Sequence, residues 1–182
     1  MMKRLLSCVL SAALFFAGTS SLAAAELPEE GIETFGNGFV EVLVDKQTGR
    51  YAIRTTEGHP LRDDNNEPLL FLDEVPDTSF TTFRIDGKDY IFGGNYGFLG
   101  LESGFSAFPH TEGLANRSVW HVNGLEIVQT ITLVDDLKNP NIGNVKIAYA
   151  VTNRSNRSVS VGSRILLDTM LGPEDGTPIM LS

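Results

Sequence analysis

Four aromatic residues and three carboxylates are the side chains of this chain best suited to holding a ligand. Tyr96, Phe98, Phe105 and Phe108 stand in a stretch, residues 93–113, with glycines at 93, 94, 97, 100, 104 and 113. Glycine lets a backbone bend closely, and an exposed ring face can stack on a sugar. The pattern fits a glycan-binding loop. It also fits a loop whose rings plug one end of a β structure, and burial is the commoner fate of an aromatic ring. Asp168, Glu174 and Asp175 supply hard oxygen ligands of the kind calcium takes. As glycosidase acid and base, two of them would have to sit at a defined separation, which sequence spacing does not provide. Asp168 at a strand end is also good turn chemistry. No residue is assigned a catalytic role.

Other motifs fall short on spacing. From Asp63, oxygen-bearing residues stand at the first, third and fifth places and Glu74 at the twelfth. The sixth place of such a calcium loop needs glycine for its sharp turn and here is Pro68, so residues 62–68 read as a solvated loop. The run Gly93-Gly94-Asn95-Tyr96-Gly97 lacks the lysine and hydroxyl ending of a phosphate loop. Gly104-Phe105-Ser106-Ala107 is not a nucleophile elbow. His59, His110 and His121 have no ligating partner at short helical or strand spacing. Asn116, Asn153 and Asn156 each begin an Asn-Arg-Ser triplet, which is a glycan acceptor only in a eukaryotic secretory route.

The elements that must position these residues are strands. Val40, Val42 and Val44 alternate with polar or smaller neighbours, and residues 50–55 return after the turn Asp45–Gly49. Phe80 to Arg84 and Tyr90 to Phe92 flank Asp86-Gly87. Ser118 to Val122 and the long run Leu125 to Leu133 flank Asn123-Gly124. Both dipeptides favour tight hairpin turns. Val145 to Thr152 and Val159 to Leu167 alternate with period two, and Asn153 to Ser158 between them predicts a hairpin. Leu69 to Leu72 reads as a short buried strand. No stretch beyond the amino-terminal leader has a helical period. The expected fold is all-β, an antiparallel β-sandwich spanning residues 38–182, incomplete at its carboxy-terminal end.

Residues 1–25 read as a secretory signal peptide: Lys3 and Arg4, an apolar run from Leu5 to Phe16, and Ala23-Ala24-Ala25 before Glu26. Lipoprotein processing at Cys8 would leave too short an apolar core. Residues 26–37 form an acidic lead expected to be flexible. The expected location is secreted, periplasmic or cell-surface, with no membrane span, since no second apolar stretch is long enough. Cleavage would remove Cys8, the one cysteine, and with it any disulfide or thiolate chemistry. The formal net charge of −9 would become −11. Such a chain lacks the clustered cations that nucleic acid requires.

The segment VKIAYAVTNRSNRSVSVGSRILLDTMLG, within a series of hairpins, resembles the first part of exported bacterial β-sandwiches of the galactose-mutarotase-like, supersandwich kind. The resemblance implies carbohydrate binding or processing. In the sugar epimerases of that class, histidines and a late carboxylate act on the ring oxygen and anomeric hydroxyl. None of His59, His110 and His121 falls in such a motif, so no catalytic residue is carried over. The expected function is an exported, non-enzymatic binding or scaffold domain, with glycan as the candidate ligand and calcium as the candidate cofactor. The alternatives are the N-terminal fragment of a carbohydrate-active enzyme and a structural cell-envelope interaction protein. The apolar strand ending at Asp168 is expected to leave an exposed sheet edge, open to self-association or pairing with another chain.

Overall fold

The computed structural model describes residues 31–58, 65–94, 105–135, 143–171 and 174–175. Among them there are twelve strands and no helix, and every strand pairing is antiparallel. β1 (Ile32–Gly36), β2 (Val40–Asp45) and β3 (Tyr51–Thr55) form one sheet in that order. β4 (Phe80–Ile85) and β5 (Lys88–Ile91) begin a second. β6 (Phe105–Glu112), β7 (Ala115–Val122), β8 (Leu125–Asp135) and β9 (Gly143–Asn153) form a four-stranded meander. β10 (Val161–Leu166) leaves the meander and joins the second sheet, giving the order β10-β4-β5. β11 (Met170–Leu171) and β12 (Glu174–Asp175) pair with each other.

Local chemistry sets the hairpins. Asp86 and Gly87 have φ of 47° and 85°, and Asn123 and Gly124 have 49° and 77°. Two successive positive φ values make the tight turn whose twist matches the flanking strands, and Asn, Asp and Gly tolerate it best. In the β2–β3 turn the Asp45 carboxylate accepts from the backbone N–H of Thr48 at 2.6 Å and of Gln47 at 3.1 Å.

One face of the meander carries the core. On β8, Leu125, Ile127, Ile131 and Leu133 are buried at every second position. Val42, Val44, Tyr51 and Leu70 share a cluster with Ile131 and Leu133. Phe83, Ile85 and Phe92 share another with Phe105, Trp120, Leu125 and Ile127. Phe92 meets Phe105, Trp120 and Tyr149 edge-on at centroid distances of 5.4, 5.6 and 5.5 Å. Edge-on contact suits the ring quadrupoles.

Gln129 lies between the two clusters along β8. Its amide Nε2 donates to Tyr149 Oη at 2.9 Å and to the Gly49 carbonyl at 3.2 Å, and Thr81 Oγ1 donates to Tyr149 Oη at 2.7 Å. Side chains of two sheets and a backbone carbonyl from the β2–β3 turn are thereby tied at one buried point, where every bond made is a desolvation cost avoided.

Four expectations differ from the structure. Order starts inside the acidic lead: β1 pairs with β2 from Ile32↔Asp45 to Gly36↔Glu41. Phe105 to Glu112, read as part of a glycine-rich loop, is the edge strand β6, with register shifts either side of Ala107. An edge position accommodates Pro109, which has no N–H to give a second neighbour. Residues 69–72 form no strand; Pro68 bridges to Arg54 and Leu70 to Thr169. β9 and β10 are not a hairpin: β9 pairs with β8, and β10 crosses to β4. Period-two alternation says which face of a strand is buried. It does not say which strand lies alongside.

Candidate functional site

The crossing of β10 leaves one flank of the core uncovered. Residues directly opposite each other on paired strands share a face. Val161 stands opposite Ile85, Ser163 opposite Phe83, and Ile165 opposite Thr81. Those three β4 residues are buried, so Val161, Ser163 and Ile165 lie on the core side of their sheet. Yet Val161 is 38% exposed and Ile165 46%. On β9, Val151 stands opposite the fully buried Ile127 and is 42% exposed.

The reason is an overhang. Phe92, which follows β5, packs on Phe105 of β6, Trp120 of β7 and Tyr149 of β9. Phe83 of β4 packs on Tyr149 of β9, centroids 5.4 Å apart, and on Trp120 of β7 at 6.4 Å. β9 is the edge of the meander and β10 lies one strand beyond β4, with its core-side residues left exposed. Among the described residues no strand pairs with the outer edge of β9 or of β10. The flank is a notch between the edge of β9, unpaired among the described residues, and the exposed Val161 and Ile165 of β10.

Both ends of β10 are fastened. At its start the Asp86 carboxylate accepts from Ser160 N–H at 3.0 Å and Arg157 Nη1 at 2.6 Å, while Asp86 N–H donates to the Ser160 carbonyl at 3.0 Å. The Ser160 N–H and the Arg157 guanidinium hold the Asp86 carboxyl below its ordinary range. Beside it, Arg154 donates to Glu126 at 2.9 Å and, with His121, lowers that carboxyl too. At the far end Asp168 N–H donates to Ser79 Oγ at 3.1 Å, and the Asp168 carbonyl accepts from Phe71 N–H at 2.7 Å. Deeper in, burial pushes the Tyr149 phenol up to about 12, against the opposing bonds from Thr81 and Gln129. Burial, then the neighbouring Tyr149, raises Tyr51 as well.

A second opening lies at the end of β10. A cleft of about 430 Å³ is lined by Arg50, Asp77, Thr78, Phe80, Ile91, Leu166 and Asp168. The buried Arg50 guanidinium sits 4.9 Å over the Phe80 ring and donates to the Asp77 carbonyl. The guanidinium thereby staples the 73–79 segment to the sheet.

Of the residues singled out from the sequence, the structure describes Phe105, Phe108 and Asp168 with their surroundings. The Phe105 ring is 6% exposed and meets Phe92 and, at 5.7 Å, the partly buried Phe108. These two rings plug the core. Tyr96 and Phe98 lie outside the described residues. Asp168 lines the Arg50 cleft and closes β10, while Glu174 and Asp175 form β12. Among the described residues no group of three His, Cys, Asp or Glu side chains could hold a metal ion. His110 and His121 lie 3.7 Å from Glu33 and 3.3 Å from Glu126. Asn116 is buried and donates to Glu33 at 3.2 Å and Thr111 at 2.9 Å, so its triplet is no surface acceptor.

Two features went unread in the sequence. Gln129 interrupts the apolar series of β8, and that break was the available signal of a buried polar tie. Val151, Val161 and Ile165 look like ordinary core residues, and no local signal marks them as uncovered. No family model, no curated protein and no solved structure matches the chain. No helix among the described residues is long and apolar enough to cross a membrane.

Proposed function

We propose that this chain is a binding or scaffold domain of sandwich type that accepts an extended polypeptide strand at the β9–β10 flank. The observation that carries the reading is the exposure of Val151, Val161 and Ile165 on core-facing positions of two edge strands. An unpaired edge offers backbone donors and acceptors in a fixed array, and an added strand satisfies them. Here it would also bury apolar surface at about 25 cal/mol per Å². Because Asp86 and Asp168 fasten β10 at both ends, little ordering of the acceptor is needed on binding. The leader read in residues 1–25 supports export, which would make the chain an interaction module of the cell envelope or its surroundings.

The test is amide hydrogen exchange on the chain, alone and with a panel of short extended peptides that alternate apolar and polar residues. Protection of edge amides in β9 or β10 by any member supports strand acceptance. Exchange at both edges unchanged by every member, and by raising the protein concentration, overturns it.

A further inference from the structure

We infer that the notch takes a single extended segment, apolar on one face and acidic on the other, paired with the free edge of β9 beneath β10. This rests on the strand-accepting reading and names the donor.

A strand added to β9 continues the meander and comes to lie opposite β10. Its alternate side chains on the core face then meet Val161 and Ile165 from below and Val151 from the side. A second copy cannot supply that strand through its own β9. In the second copy the core face of β9 is covered by β4 at Tyr149, through the Phe83–Tyr149 ring contact and the Thr81–Tyr149 hydrogen bond. The overhanging β10 of the first copy would collide with that cover. Pairing of two copies through β10 is open sterically but leaves Val161 and Ile165 uncovered. In the registers that bring the two Arg164 side chains opposite or diagonal to each other on one face, like charges also repel. The occupant that fits is a strand with no layer of its own.

Charge then selects its composition. Residues 143–167 hold Lys146, Arg154, Arg157 and Arg164 and no acidic residue, in a chain with 23 acidic residues elsewhere. Arg154 and Arg157 are engaged by Glu126 and Asp86. Lys146 is exposed on β9, opposite Thr132 and so on the face away from the core. The outward side chains of an added strand come beside Lys146, and no described acidic residue forms an ion pair with it. An acidic side chain at that place gains an attractive cross-strand partner and a basic one meets repulsion.

The experiment uses three matched peptides with alternating valine, differing only in glutamate, serine or lysine at the intervening positions. Binding to the full chain is followed by fluorescence anisotropy and amide exchange. The expected result is protection of β9 amides, with the glutamate peptide binding about fivefold or more tightly than the lysine peptide. Raising ionic strength to about 0.5 M should compress that ratio. Lys146→Glu should reverse the order, and Ile165→Lys should weaken all three. Charge-independent binding, or protection of β10 without β9, overturns the acidic-strand inference and leaves strand acceptance standing. Protection of either edge that follows protein concentration alone, with no effect of peptide, assigns the flank to a second copy and also overturns the inference. Failure of all three peptides with no concentration dependence overturns the inference and the strand-accepting reading together.

Discussion

β2 and β10 are both six-residue strands, and their sequences, VEVLVD and VGSRIL, each hold three or more large apolar side chains. Val42 and Val44 of β2 are fully buried, whereas every residue of β10 is exposed. β2 is flanked by β1 and β3 and packs over Ile131 and Leu133. β10 has β4 on one side and overhangs the meander. The difference lies in position within the sheets and not in composition. An apolar face is buried only if a layer exists opposite it, so the same kind of strand is core in one place and exposed in another.

The largest expected effect breaks the comparison if it fails. Phe83 lies 5.4 Å from Tyr149 and 6.4 Å from both Phe92 and Trp120. Phe83→Ala should destabilise by about 3–5 kcal/mol in a denaturant titration. Ile165→Ala, half exposed on the overhang, should cost about 1 kcal/mol or less. Equal losses would mean that the flank is covered in solution.

Gln129→Ala comes next. It strips a donor from Tyr149 Oη and leaves the Gly49 carbonyl buried without it, at a cost of about 1–3 kcal/mol. A cycle with Tyr149→Phe should show coupling between the two sites, and strict additivity would dissolve the polar tie. The same node sets an alkaline limit. Tyr149, raised from 10.0 to about 12, stays neutral when folded while the unfolded phenol ionises. Its contribution is complete below the unfolded value and is lost as pH rises through the folded one. Denaturation midpoints should fall from about pH 10 to about pH 12, and Tyr149→Phe should make that fall shallower.

The smallest effect sharpens the open side. Asp86 has a lowered pKa, so its support is present above the ordinary carboxylate value of 3.8 and is lost as pH drops through the folded value. Asp86→Asn should speed amide exchange at Ser160 and Val161 at neutral pH while leaving β2 unchanged. Acidification of the unsubstituted chain should reproduce that local loosening. An effect of equal size on β2 would show that the anchor serves the whole fold.

What the sequence determined by itself was local. Alternating apolar positions in β2, β8 and β9 marked strands and their inward faces, because a pleated chain presents successive side chains to opposite sides. Asp86-Gly87 and Asn123-Gly124 marked two hairpins, because each dipeptide tolerates the positive φ its turn demands. An all-β, antiparallel fold followed from these signals. Only the tertiary structure decided that β10 pairs with β4 and not with β9, that the Phe105 and Phe108 rings plug the core, and that Gln129 bonds Tyr149 and Gly49. Strand partnership is set by contacts between distant segments, here an Asp86 carboxylate that captures Ser160 and Arg157 more than seventy residues away along the chain. Exposure is a property of the layer opposite a side chain, so the open flank exists only once all the sheets have been placed.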